Sequence, residues 1–136
     1  MRVLFICTGN TCRSPMAQYL FNAMCGADDE AESCGFAAMV GDDINPNSLA
    51  ALAEVGIDAA DHRARRFDLY MVDDFDALVV FNPAAKQALQ SVLSSKQAAK
   101  VQVLGEGIPD PYGQSMEVYR ACRDKIRSYI EEMLND

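Results

Sequence analysis

The residues best suited to chemistry stand together near the start, as Cys7-Thr8-Gly9-Asn10-Thr11-Cys12-Arg13-Ser14. A cysteine is followed, after five residues, by an arginine and then a hydroxyl. A thiolate is a strong nucleophile, and a guanidinium fork holds two oxygens of one phosphate at once. The pattern suits attack by Cys7 on a phosphoryl group gripped by Arg13. It makes Thr8, Gly9, Asn10, Thr11, Cys12, Arg13 and Ser14 the candidate phosphate-binding residues. Ser14 can donate to the Cys7 sulfur and hold it as the anion, and Gly9 lets the loop turn where a Cβ would clash. A bare Cys-x5-Arg also occurs in ordinary turns around a structural cysteine, so the flanking elements decide. The loop lacks the Gly-Lys-Ser/Thr ending of a nucleotide-binding Walker motif.

Those elements are favourable. Val3-Leu4-Phe5-Ile6 has the length and branching of a buried strand. Ser14 suits a helix N-cap and Pro15 the first helical position. Met16, Leu20 and Met24 then recur at helical spacing, with Ala17 and Phe21 beside them. A loop between strand and helix points free N–H groups at one spot, and the helix dipole adds positive charge there. That spot favours a phosphate and a sulfur anion alike.

The pattern continues along the chain. Cys25-Gly26 ends the first helix, and Ala31–Phe36 reads as a second strand after the polar Asp28-Asp29-Glu30. Asn45-Pro46 opens a second helix with Leu49, Leu52, Ala53 and Val55 on its apolar face, closed by Gly56. Residues 57–66 carry the lone His62 and three arginines, Arg63, Arg65 and Arg66, read first as a solvated cluster and second as a positive rim that steers phosphorylated substrates. For a lone histidine a structural hydrogen bond outranks metal or catalysis. Phe75–Phe81 is a strongly apolar third strand, and Asn82-Pro83 starts a helix through Leu93. Lys100–Leu104 is a fourth strand. A loop with Asp110-Pro111-Tyr112-Gly113 precedes a last helix from Ser115 to Met133, its buried side read as Val118, Cys122, Ile126, Tyr129, Ile130 and Met133. Strands alternating with helices mean a parallel sheet covered on both faces, with ligands at the C-terminal strand ends. Cys7 and Asp110 both follow strands and belong on that edge.

With 136 residues, half of them hydrophobic, the chain is long enough for one globular domain spanning residues 1–136. Its net charge of −8 argues against general binding to nucleic acid or anionic membrane, so a phosphate needs a local positive site. Five cysteines without a Cys-x2-Cys pair give neither a secreted disulfide framework nor a zinc site. With no signal peptide and no membrane-length apolar run in view, a cytoplasmic setting is expected.

The stretch from Val3 to Ala17 resembles the opening of the low-molecular-weight protein tyrosine phosphatases, and Asp110-Pro111-Tyr112 resembles that family's acid loop. The resemblance covers nearly the whole chain. It implies a three-layer α/β/α, flavodoxin-like fold with four parallel strands in the order 2-1-3-4. It implies Cys7 as nucleophile, Arg13 as transition-state clamp and Asp110 as general acid, with no metal or cofactor. Asn10, Ser14, Ser33 and His62 match the network bracing the phosphate loop. Thr11 and Tyr112 fall at the substrate wall, and Cys7 with Cys12 at the family's paired loop cysteines, which form a disulfide under oxidant. The expected partner is a phosphorylated protein, met by a monomer or weak dimer that binds phosphate or similar oxyanions. Phe81-Asn82 departs from the Met-Thr more common in the family. Thr11 stands where tyrosine-directed members usually carry Ile or Leu and resembles the bacterial protein-arginine phosphatase branch, so arginine specificity is the main alternative. A thiol-linked arsenate reductase needs two further cysteines after the third strand, and Phe81–Leu93 has none. An inactive phosphoprotein-binding module would have no need of intact Cys7, Arg13 and Asp110.

Overall fold

Four short runs, three of them rich in branched residues and the second in small ones, form one parallel sheet in the computed structural model, which describes residues 1–135. The strands are β1 (Arg2–Cys7), β2 (Glu30–Gly35), β3 (Ala77–Val80) and β4 (Val101–Val103), in the order β2-β1-β3-β4. Central β1 pairs Phe5 with Ser33 on one side and with Val79 on the other. Because side chains alternate along a strand, β1 feeds two cores. Val3 and Phe5 pack under α1 (Arg13–Met24), α2 (Pro46–Ala53) and α5 (Met116–Leu134). Leu4 and Ile6 pack on the other face, under α3 (Pro83–Gln90) and a 3₁₀ helix over Leu69–Asp74. A short α4 (Ser95–Ala98) precedes β4. This is the three-layer α/β/α arrangement with strand order 2-1-3-4. Among the described residues no helix is long and apolar enough to cross a membrane.

Several local expectations need correction. The helix through Leu93 stops at Gln90, and the chain restarts at a Ser94–Gln97 capping box, whose reciprocal hydrogen bonds favour a fresh N-terminus. The second strand begins at Glu30 and ends at Gly35, leaving Phe36 outside it. On α5 the buried stripe runs through Tyr119, Cys122, Ile126 and Ile130, one residue past Val118, which is 40% exposed. Ser14 is not the cap of α1. Cys12 holds that position, without a side-chain hydrogen bond to the helix N–H groups, and Ser14 lies inside the first turn. By contrast Asn45 and Asn82 do cap α2 and α3, each ahead of a proline.

Candidate active site

The loop from Cys7 to Arg13 leaves the C-terminal end of β1 and enters α1, so its position is set by the most buried strand. The Cys7 sulfur accepts a hydrogen bond from the Asn10 backbone N–H at 3.3 Å and lies 2.9 Å from the Ser14 hydroxyl. With no side-chain cap at Cys12, the first-turn N–H groups of α1 are left for an anion.

Asn10 is the knot of the loop. It is fully buried with φ of 56°, in the left-handed region that asparagine tolerates better than most residues. One Nδ2 hydrogen goes to Ser14 Oγ at 2.8 Å and the other to Ser33 Oγ at 2.9 Å. Its Oδ1 accepts from the Arg65 backbone N–H at 3.0 Å, and its carbonyl lies 2.7 Å from His62 Nε2. A carbonyl only accepts, so His62 donates from Nε2. Burial pushes the imidazolium of His62 below its ordinary pKa of 6.5, with Arg63 adding to the shift and the Asn10 hydrogen bond opposing it. Because Asn10 donates into the Ser14 oxygen, the Ser14 hydrogen is free to point at Cys7 sulfur, the nearer acceptor, rather than at Cys34 O at 3.3 Å. Ser33 passes the chain on to Gln18.

Arg13 is 5% exposed. Its Nη1 donates to Ile108 O at 3.1 Å, its Nη2 lies 3.7 Å from Asp110 Oδ2, and its guanidinium sits over the Phe81 ring. Its Nε is buried with no hydrogen-bond partner among the described residues, a donor left open at the site. Asp110 is held by its own turn, its Oδ1 accepting the Tyr112 N–H at 3.1 Å. Cys7, Thr8, Gly9, Thr11, Cys12, Arg13, Asp110 and Tyr112 together line a cavity of about 210 Å³. Tyr112 is 70% exposed at its mouth. Cys12 turns inward, with its sulfur 3.5 Å from the Tyr119 hydroxyl, and burial raises its thiol pKa.

Sequence reasoning missed two parts of this site. A Cβ on Gly35 would lie 2.6 Å from Thr8 O, 2.9 Å from Asn10 N and 3.0 Å from Gly9 C, so the loop packs on bare backbone there. Gly9, read as the sterically required glycine, would bring its Cβ no closer than 3.6 Å to anything. The other omission is Arg65, through its backbone N–H. The three arginines lie at the surface, Arg63 and Arg66 exposed and Arg65 half-buried, as a solvated cluster would, and each has a partner. Arg63 pairs with Asp43, Arg65 binds Ser33 O and Glu32, and Arg66 binds Ala38 O.

The sequence of residues 2–136 matches the model of the family described as low molecular weight phosphotyrosine protein phosphatase. The chain belongs to that family. A curated relative, the protein-arginine-phosphatase of Geobacillus stearothermophilus, is 33% identical over 97% of this chain and 93% of its own length. The crystal structure of the low molecular weight protein tyrosine phosphatase from T. tengcongensis superposes with a TM-score of 0.92 at 36% identity, covering 99% of this chain and 98% of that one. An arsenate reductase of Staphylococcus epidermidis is 30% identical over 95% of this chain and 92% of its own length. The family is one of phosphatases, and its members among the solved structures share this four-stranded fold.

Proposed function

We propose that the protein is a cysteine-dependent phosphoprotein phosphatase, tyrosine-directed in its primary reading, with Cys7 as the nucleophile. One observation carries this: the Cys7 sulfur, the Arg13 guanidinium and the Asp110 carboxyl border one small cavity at the N-terminus of α1. The thiolate attacks phosphorus in line and forms an S–P bond as the bond to the leaving oxygen breaks. Asp110 gives that oxygen its proton. Arg13, with its open Nε, and the loop N–H groups hold the equatorial oxygens where charge sits in the transition state. Water then attacks the cysteinyl-phosphate, Asp110 takes its proton, and phosphate leaves with Cys7 restored. Asn10, Ser14, Ser33 and His62 act through Cys7 and the loop backbone, as positioning residues. Cys12 is the proposed redox partner: peroxide converts Cys7 to a sulfenic acid, and the Cys12 thiol displaces water from it to form a disulfide. The setting we infer is cytoplasmic, with the chain a monomer or weak dimer.

Arginine specificity is the second reading. Thr11 lies on the wall of the same cavity, and a hydroxyl there suits a guanidinium better than a phenyl ring. The Geobacillus relative bears the name of that activity. A reductase relay is disfavoured, because the segment after β3, Phe81–Leu93, carries no cysteine, and Cys34 and Cys122 are buried in the core with their thiol pKa values pushed up. Kinetics on matched phosphotyrosine and phosphoarginine peptides test the proposal. A higher kcat/KM for phosphotyrosine supports the primary reading, and a higher value for phosphoarginine supports the second. Hydrolysis of neither would overturn both.

A further inference from the structure

Away from the catalytic cavity, a groove of about 490 Å³ lies between α3 and the segments that follow β2 and precede the 3₁₀ helix. Phe36, Phe67, Leu69, Leu89 and Val92 supply most of its apolar wall. Phe36 and Phe67 meet edge to face at 5.7 Å between centroids. Three of these side chains are unusually open for their type: Phe36 is 38% exposed, Leu69 51% and Val92 60%. The one charged side chain on the wall is Asp68. Its Oδ1 accepts the Tyr70 N–H, which is its sole hydrogen bond among the described residues. Size and lining match those of small-molecule pockets, which are mostly apolar with a few placed polar groups.

We infer that this groove is a binding site for a small amphiphilic cation, an apolar body carrying one amine or guanidine, and that its occupation is felt at the phosphate loop. Charge selects the cation. A carboxylate with a free oxygen borders an apolar wall, and the chain as a whole carries −8. The coupling runs through backbone. The Phe36 N–H donates to Cys7 O at 2.9 Å and the Ala37 N–H to Thr8 O at 2.9 Å. The Phe67 N–H donates to Gly35 O at 2.9 Å, and Gly35 underlies Thr8–Asn10 without room for a Cβ. Both aromatic walls of the groove are therefore carried by residues hydrogen-bonded to the loop or to its floor. A ligand that shifts Phe36 or Phe67 moves the groups under Cys7.

The test uses phenylbutylamine, phenylbutanol and phenylbutyrate as probes on the full chain, with binding followed by NMR shifts. The amine should bind, with the largest shifts at Phe36, Leu89 and Val92. Asp68→Asn keeps the turn but removes the charge, so it should narrow the preference for amine over alcohol by about 2- to 5-fold, the range of an exposed ion pair. Ala88→Trp, which fills the groove, should abolish binding. Saturating amine should change kcat for an aryl phosphate by at least about twofold, as expected for a slightly displaced loop, and leave Ala88→Trp unaffected. Equal binding of amine and butyrate, or an unchanged preference in Asp68→Asn, would overturn the cation site. Shifts at these residues that grow with protein concentration alone would give the groove to a second copy instead. Unchanged kcat at saturation would overturn the coupling. The binding arms do not depend on the phosphatase reading, so its failure and theirs are separable.

Discussion

Gly35→Ala should damage catalysis from behind the loop, without removing any group that meets substrate. The added Cβ would sit 2.6–3.0 Å from Thr8 O, Asn10 N and Gly9 C, where ordinary contact begins at 3.4 Å. All three neighbours are backbone, so no side chain can swing aside, and the loop itself must retreat by roughly 0.4–0.8 Å. Gly35 cannot easily retreat either. Its N–H donates to Arg65 O and its carbonyl accepts from Phe67, each at 2.9 Å, and it pairs in register with Cys7. A displacement approaching 1 Å at a reacting group is worth up to about 10²-fold in rate. We expect kcat to fall by about 10- to 100-fold, and stability to fall by about 1–3 kcal/mol from overpacking. Steady-state kinetics on an aryl phosphate, run well below the melting temperature of the variant, would measure the first, and urea unfolding the second. A variant with wild-type kcat would show that the loop tolerates displacement, and would refute the claim that Gly35 fixes it.

Three further outcomes follow from the same geometry. Arg13→Lys keeps the charge but loses the fork and the Nε donor, so kcat should fall by roughly 10²–10³-fold, and a near-normal kcat would mean a point charge is enough. Thr11→Ile exchanges a hydroxyl for apolar surface in the cavity wall and should shift relative kcat/KM toward phosphotyrosine over phosphoarginine by roughly 10–200-fold; an unchanged ratio removes Thr11 as a selectivity filter. His62 is held neutral in the fold, so below pH 6.5 the unfolded chain takes up a proton that the folded one refuses. The stability His62 contributes should be complete above 6.5 and decline as pH falls below it. His62→Gln should flatten that decline in urea unfolding at several pH values, and an identical slope would contradict the assignment.

The parts of the site that were legible in the sequence are those carried by contiguous residues. Cys7 to Ser14 announces itself because a cysteine, an arginine and a helix start lie within one loop, and Asp110-Pro111-Tyr112 because a turn marks it. The sheet was legible because strand and helix periods alternate, and its order because of the family resemblance. Gly35 and the Arg65 N–H were not legible. Their part arises from backbone proximity across 25 and 55 residues from Asn10, which no local pattern encodes. Ser14 misled for a related reason: serine before proline reads as a cap, yet a buried sulfur and amide compete for the same hydroxyl and draw it inward. The positive φ fell on Asn10 rather than on Gly9, because the asparagine amide makes three hydrogen bonds at that bend, two from Nδ2 and one at Oδ1.

The most direct test of the central claim is chemical trapping of the intermediate. The enzyme is mixed with an aryl phosphate, quenched within a turnover, digested, and examined by mass spectrometry under conditions that preserve S–P bonds. The account predicts a phosphoryl group on Cys7 in the wild type and none on the corresponding peptide of an inactive Cys7→Ala variant. Phosphoryl transfer to another residue, or full turnover in Cys7→Ala, would contradict it.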